Sequence, residues 1–290
     1  MASILQNRSE HAWSVSMASA SPPQETAAMT SNGATLVVPD IHNNFTAAEE
    51  RIAEVRERFP GRISQIVFLG DYFDDYGDTP EMTRQTAEWL QHSVEQSDRV
   101  HLVGNHDLAY LAPSPFTWCS GFEDAKFAIA SPILDAMPRE RFRAALEVDG
   151  WLLSHAGFHQ RHAAGRAPAE LIALADSALR QLWEGAQPEL FAAGYARGGS
   201  APSGGITWCD WIKEFQPTSG IHQIVGHTPA RTIRLFALEY ETGRRFRRSY
   251  EVNVAYNETF PRGKFPSFNV CLDTGMRAVA LIENGAIVIL

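Results

Sequence analysis

The stretch ISQIVFLGDYFDDYGD, residues 63 to 78, sets a strand-like apolar run directly against four aspartates in eight positions: Asp71, Asp74, Asp75 and Asp78. Residues 63 to 69 read as a strand buried in a core. Carboxylates this close repel one another, and each loses water at the edge of an apolar interior. A positive group belongs there, and it is a lysine, an arginine or a metal ion.

Reading outward, ATLVVPD (34 to 40) is a second short apolar run, also ending in an aspartate. Between the two runs, NFTAAEERIAEVRERF repeats Ala48, Ile52, Val55 and Phe59 at helical spacing, and Pro60-Gly61 stops it. TPEMTRQTAEWLQHSVEQ (79 to 96) is a second helix, with Thr79 as N-cap and Pro80 in its first turn. RVHLVGNHD (99 to 107) is a third strand running into a loop. Strand, helix, strand, helix, strand is an α/β unit with parallel pairing. Residues 112 to 147 read as irregular or helical cap material, WLLSHAG (151 to 157) as a strand, and residues 168 to 185 as a helix. Residues 192 to 205 are small and loop-like, and the last third is β-rich, with ENGA (283 to 286) as a hairpin turn. The order predicts two packed sheets with helices outside.

The 290 residues suit one large domain or two small ones. A net charge of -9 supplies no basic field for nucleic acid, so no DNA or RNA partner is expected. Cys119, Cys209 and Cys271 are odd in number and widely spaced, which suits a reducing cytoplasm better than a disulfide framework. No run of eighteen apolar residues is present, so no membrane span is expected. Residues 1 to 32, rich in Ala and Ser, read as a disordered leader, with a docking role for Trp13 as the alternative.

The ends of the strands carry the chemistry. They deliver Asp40 and His42, then Asp71 and Asp74, then Asn105, His106 and Asp107, then His155, and later His227. In open α/β sheets ligands bind outside the carboxyl ends of the strands. Carboxylate and imidazole together suit Mn, Fe or Zn, and the absence of cysteine from these segments argues against a structural zinc site.

The motifs DIH, GDYFD, GNHD, SHAG and GHT, in this order, resemble those of the calcineurin-like metallophosphoesterases. The chain looks most similar to their serine/threonine phosphoprotein phosphatase-like branch, of bacterial type, over residues 34 to 290. The resemblance implies a four-layer α/β/β/α sandwich of two mixed β-sheets flanked by helices. That domain would span residues 33 to 290, with cap insertions around 108 to 147 and 158 to 215. It also implies two divalent metal ions, manganese first and iron or zinc as alternatives. Asp40 and His42 would hold one ion, Asp71 would bridge both, and Asn105, His155 and His227 would complete the second. Many relatives have a second histidine after GH; here GHTP places Pro229 there. The resemblance makes His106 the proton donor to the leaving oxygen and Asp74 its orienting partner, with Asn105 and His106 touching the substrate. Two ions bring four positive charges against the two of Asp40 and Asp71, which leaves charge for hydroxide and phosphate. The implied function is hydrolysis of phosphomonoesters, phosphoproteins included, by direct attack of a hydroxide held between two metals. Alternatives are hydrolysis of dinucleoside polyphosphates and a non-catalytic, metal-binding scaffold for phosphoproteins. The partner is a phosphorylated substrate, protein or small molecule.

Some positions depart from the family pattern. Asp75 stands where an arginine commonly grips phosphate, and Asp210 in TWCDW stands where another is often found. Arg161, Arg166 or Arg197 could replace them. Asp75 and Asp78 read as solvated loop charges, and Asp107 as the cap of a following helix. Asp273 is either support for a ligating histidine or a turn residue. Trp208 and Trp211 read as lid or core. The remaining histidines, His101 among them, read as structural or exposed. RRFRR (244 to 248) reads as an exposed strand, with an anion-binding surface as the alternative.

Overall fold

The computed structural model describes residues 33–241, 244–252, 259–261 and 266–290, and the side chains of residues 238–265 lie outside that description. The leader and the side chains of the arginine run therefore fall outside the described residues.

Three apolar runs, β1 (Ala34–Val38), β2 (Ile63–Phe68) and β3 (Arg99–Leu102), lie side by side in parallel. The crossovers are α1 (Phe45–Arg58) and α2 (Pro80–Val94). Thr79 caps α2 by accepting the Met82 N–H, with Pro80 in the first turn. β4 (Phe142–Arg143) extends the sheet beyond β3. Beyond β1, antiparallel β12 (Ala280–Glu283), β13 (Ala286–Ile289) and β10 (Thr259–Pro261) complete seven strands. Asn284 and Gly285, at φ 52 and 76, form the tight turn between β12 and β13.

The second sheet has six strands, in the order β5 (Ala145–Val148), β6 (Trp151–Ser154), β7 (His222–Val225), β11 (Ser267–Cys271), β8 (Ile233–Glu241) and β9 (Arg244–Val252). β6, β7 and β11 are parallel to one another and the outer pairs are antiparallel. Both sheets are therefore mixed.

Alternate residues of the central strands serve opposite faces. Val37, Val67 and Leu102 of the first sheet meet Trp151, Leu153, Ile224 and Val270 of the second. On the other face of the first sheet, Leu36, Val38, Ile66 and Phe68 pack with Ile52 and Val55 of α1 and Ala87 and Leu90 of α2. α5 (Pro168–Trp183) lies against β5. Trp211, Phe215 and Phe236 stack on the outer face of the second sheet, with ring centroids 4.2 and 5.0 Å apart. Trp211 is thus core. Each large apolar side chain contributes roughly 1.5–3 kcal/mol by leaving water. The result is the expected α/β/β/α layering. No helix among the described residues is long and apolar enough to cross a membrane.

Two segments differ from the sequence reading. Residues 142 to 148 are not cap material; they form β4 and β5, and the chain crosses from one sheet to the other at Ala144, which is fully buried. Strands this short leave no periodic signal. Residues 105 to 111 form α3 (Asn105–Leu111) rather than a loop. Its start is set by Gly104 as N-cap and by Asp107, whose carboxylate accepts the Gly104 N–H at 2.7 Å.

One buried histidine gives the fold a pH dependence. His101 lies between Ser93 Oγ (3.1 Å) and the Tyr72 hydroxyl (3.0 Å), with its ring stacked on Phe68. Burial pushes it down to about 3. Unfolded, it takes up a proton below about pH 6.5. Between these values the unfolded chain binds more protons, so this contribution to stability is lost as pH falls, by up to about 1.4 kcal/mol per unit. Urea midpoints of the wild type should drop more steeply from pH 6.5 to 5 than those of His101→Gln. Parallel curves would rule out His101 as the source.

Candidate metal centre

β1, β2 and β3 of one sheet and β6, β7 and β11 of the other run their carboxyl ends to one place. There they bring together Asp40, Asp71, Asn105, His155, His227 and Asp273, all buried. His42, Asp71, Asp74 and His227 take left-handed backbone angles (φ 45, 51, 61 and 69), a conformation that costs roughly 1–3 kcal/mol each. Cross-links between loops hold these turns. The Asp71 carbonyl accepts the Ile41 and His42 N–H groups at 3.0 and 2.8 Å, and the His155 carbonyl accepts Gly226 N–H at 2.7 Å. Asp107 accepts the N–H groups of Asp71 and Tyr72 at 2.8 and 2.7 Å besides that of Gly104. It therefore caps α3, as expected, and also fixes the exit of β2. Burial pushes Asp107 up to about 6, with the Asp71 carboxylate adding to the shift and the Gly104 and Tyr72 N–H groups opposing it.

Two donor clusters share Asp71. Asp40, His42 and Asp71 place their ligand atoms within 4.8 Å of one another, and so do Asp71, His155 and His227. His42 Nε2 lies 3.9 Å from Oδ2 of both Asp40 and Asp71. His155 Nε2 lies 3.1 Å from Asp71 Oδ2, 3.2 Å from His227 Nδ1 and 3.3 Å from Asn105 Oδ1. The opposite nitrogens are spoken for. His42 Nδ1–H donates to the Asp74 carbonyl (2.6 Å) and His155 Nδ1–H to the Leu69 carbonyl (3.0 Å). Carbonyls only accept, so each ring keeps a proton on Nδ1 and turns Nε2 inward as the atom it can offer a metal, the arrangement of metal-ligating imidazoles.

The electrostatics call for a cation. Burial would lower His42 and His155, but the Asp71 and Asp40 carboxylates outweigh it and hold them up at about 9 and about 10. Burial pushes Asp40 up, and Asp273 and Asp71 add to the shift. His227 is driven well down by burial and then by His155, so it stays neutral, and its buried Nε2 has no hydrogen-bond partner. Among the described residues no lysine or arginine pairs with Asp40, Asp71 or Asp273. Buried carboxylates with imidazole nitrogens turned toward them fit divalent ions of the Mn, Fe or Zn kind. Asp273 adds a third carboxylate to a charge count that the sequence put at two. Its carboxylate also accepts the Gly275 N–H, so it is a turn residue as well.

His106 and Asp74 adjoin this centre. His106 Nδ1 lies 3.0 Å from Asp74 Oδ2, and its ring centroid is 5.2 Å from that of His42. A cavity of about 660 Å³ opens here, lined by His42, Asp74, Asp75, His106, Lys126 and Asp273 among others. Three neighbours of the His106–Asp74 pair carry no sign of that place in the sequence. The Tyr110 hydroxyl donates to Asp74 Oδ1 at 2.6 Å, Lys126 Nζ lies 3.5 Å from the same oxygen, and Cys119 Sγ lies 3.3 Å from His106 Nδ1. Burial and the Asp74 charge push the Cys119 thiol up, so it stays protonated. These residues come from α3, α4 (Asp124–Leu134) and the loop between them, at spacings no motif records.

Asp78 is a correction. It is not a solvated loop charge: its side chain is 4% exposed, pairs with Lys126, and accepts Asn43 Nδ2 at 2.8 Å. Asp75 is exposed, as expected. Of the three arginines, Arg161 pairs with Glu189 and Arg166 bonds the His162 carbonyl, both on the surface. Arg197 alone reaches the centre's border. Its Nε is 3.0 Å from Asp210 Oδ2, and its Nη2 donates to Thr228 Oγ1, beside His227, at 3.3 Å. The Trp208 ring lies 6.0 Å from the His227 ring.

Two glycines test the centre. A Cβ on Gly226 would fall 1.8 Å from Asp40 Oδ1, and one on Gly104 would fall 2.1 Å from Asp71 Oδ1. Gly226→Ala and Gly104→Ala should each weaken manganese binding by about 10- to 100-fold in equilibrium dialysis while the far-ultraviolet circular dichroism is kept. Unchanged metal binding would mean that these carboxylates do not hold the ion.

Residues 34–231 match the family model described as calcineurin-like phosphoesterase. No curated protein matches the chain. Among solved structures, a metallophosphoesterase from Sphaerobacter thermophilus is 14% identical, with 89% of this chain and 86% of that one covered at a TM-score of 0.44. A putative diadenosine tetraphosphatase is 15% identical, with 90% and 94% covered at 0.40. A protein serine/threonine phosphatase from Saccharomyces cerevisiae, with similarity to human phosphatase PP5, is 14% identical, with 90% and 80% covered at 0.42. With a family match over more than half its length, a sandwich of two mixed sheets and paired donor clusters at their common end, the chain belongs to the calcineurin-like phosphoesterases.

Proposed function

We propose that the protein is a dinuclear, manganese-dependent phosphatase acting on phosphomonoesters, phosphoserine and phosphothreonine peptides included. The observation that carries the reading is Asp71, whose carboxylate belongs to both donor clusters. Asp40, His42 and Asp71 would hold one ion, and Asp71, Asn105, His155 and His227 the other. When bound, the ions supply Lewis-acid charge that lowers the pKa of water and offsets the charge of the phosphoryl group.

The chain's own residues do the rest. Asp74 Oδ2 accepts the His106 Nδ1–H, which fixes the ring and leaves Nε2 to pass a proton to the leaving oxygen. The Asn105 amide hydrogens can meet a phosphoryl oxygen, and Arg197, anchored by Asp210, supplies a cation where the usual arginine is absent. Three unpaired cysteines agree with a reducing compartment, the cytoplasm.

The test uses protein loaded with manganese and, side by side, a phosphoserine peptide and diadenosine tetraphosphate. Phosphate should leave the peptide, stop with EDTA, and slow by about 10²- to 10⁴-fold in His106→Asn with metal retained. Cleavage of the nucleotide alone would make the protein a dinucleoside polyphosphate hydrolase instead. Reaction with neither, metal being bound, would leave a non-catalytic scaffold that binds phosphoproteins.

A further inference from the structure

The loop-to-cap contact at Asp74 is richer than a His–Asp pair requires. Lys126 is 2% exposed and points from α4 into the acidic stretch. Its ammonium meets Asp78 Oδ1, Asp74 Oδ1 at 3.5 Å and the Gly121 carbonyl at 2.9 Å. Two hydrogen bonds and one longer ion pair already engage the ammonium within the wall of the cavity. Lys126 lines the cavity but is no replacement for the missing arginine.

Its partners tell what it does. Asp74 Oδ1 takes Tyr110 and Lys126, and Oδ2 is left for His106 Nδ1. Asp78 uses its other oxygen for Asn43, the residue after His42. The approach is tight: a Cβ on Gly121 would fall 2.8 Å from Asp74 Cβ. Without the ammonium, two buried carboxylates would face each other across the cavity wall, and Asp74 Oδ1 would lose its cation. Helix α4 has its own apolar anchors in Ala130 and Leu134, so the lysine is not what docks it.

We infer that Lys126 is a positioning residue for proton delivery: it holds Asp74 so that one oxygen alone serves His106, and thereby makes the cap helix part of the proton-donating device. The inference rests on the phosphatase reading. In the step concerned, a water oxygen forms the new bond to phosphorus and the bond to the leaving oxygen breaks. The proton of His106 Nε2 goes to that leaving oxygen, and the one lost by water restores the balance.

A proton donor matters for a poor leaving group and hardly for a good one, which separates positioning from general damage. Turnover of manganese-loaded Lys126→Met is compared with wild type on a phosphoserine peptide and on 2,4-dinitrophenyl phosphate. The alkyl ester should slow by about 10- to 100-fold, and the aryl ester by less than about threefold, with metal content unchanged. The double variant Lys126→Met/Asp78→Asn removes one charge of each sign. It guards against misfolding and should show the same leaving-group selectivity. Equal loss on both substrates, or loss on neither, would overturn the role of Lys126 while leaving the phosphatase reading intact. A wild type inert toward both, with metal bound, would sink both.

Discussion

Three carboxylates, those of Asp40, Asp71 and Asp273, are buried where two sheets end, and the described part of the chain sets no lysine or arginine against them. Charge of one sign in a medium of low polarity is the constraint around which the rest is arranged. It explains why the parallel strands of both sheets finish at one point and why imidazoles surround it. It also gives a reason for the left-handed turns at His42, Asp71, Asp74 and His227. Such turns cost free energy, and the N–H groups gathered by Asp107 and by the Asp71 carbonyl offset part of that cost.

The acidic stretch after β2 divides between two kinds of positive charge. Asp71 turns toward the donor clusters, while Asp74 and Asp78 turn toward an ammonium delivered by the cap. Only Asp75 is left to solvent. Neighbouring residues thus face different partners because the chain reverses sharply at Asp71 and Asp74, and alternate carboxylates point different ways. The same reversal puts the His42 ring against the Asp74 carbonyl, so the ligand set and the proton donor share a backbone segment.

What could be read beforehand had a local signature. The parallel unit was legible from apolar runs and helical spacing over residues 34 to 107, and the rim residues from the polar ends of those runs. α3 carried one local signal, Asp107 as a cap three residues after Gly104, while its seven residues are too few to show a helical period. β4 and β5 were hidden because two- and four-residue strands at sheet edges have no period. Lys126, Tyr110 and Cys119 were hidden for another reason. Their importance lies in contacts with the Asp74–His106 pair, 36 to 52 positions from Asp74, and on a helix a lysine with a hidden ammonium looks like any solvated one. Asp273 was noticed but could not be placed, since its neighbours Asp40 and His42 lie at the other end of the chain.

The pairing of β1 has a consequence for the order in which the molecule can be assembled. β1 lies between β2 and β12, with Thr35 opposite Ile282. Until β12 has been synthesised, β1 has one neighbour and an open edge of unpaired amides. His227, whose N–H bonds the Asp40 carboxylate, also arrives 187 positions after it. The nascent chain therefore exposes this edge of β1 until β12 emerges, and such an edge invites pairing with another copy. Chaperone demand and inclusion-body formation in this protein should thus follow how quickly the final hairpin reaches β1, rather than the strength of the finished core.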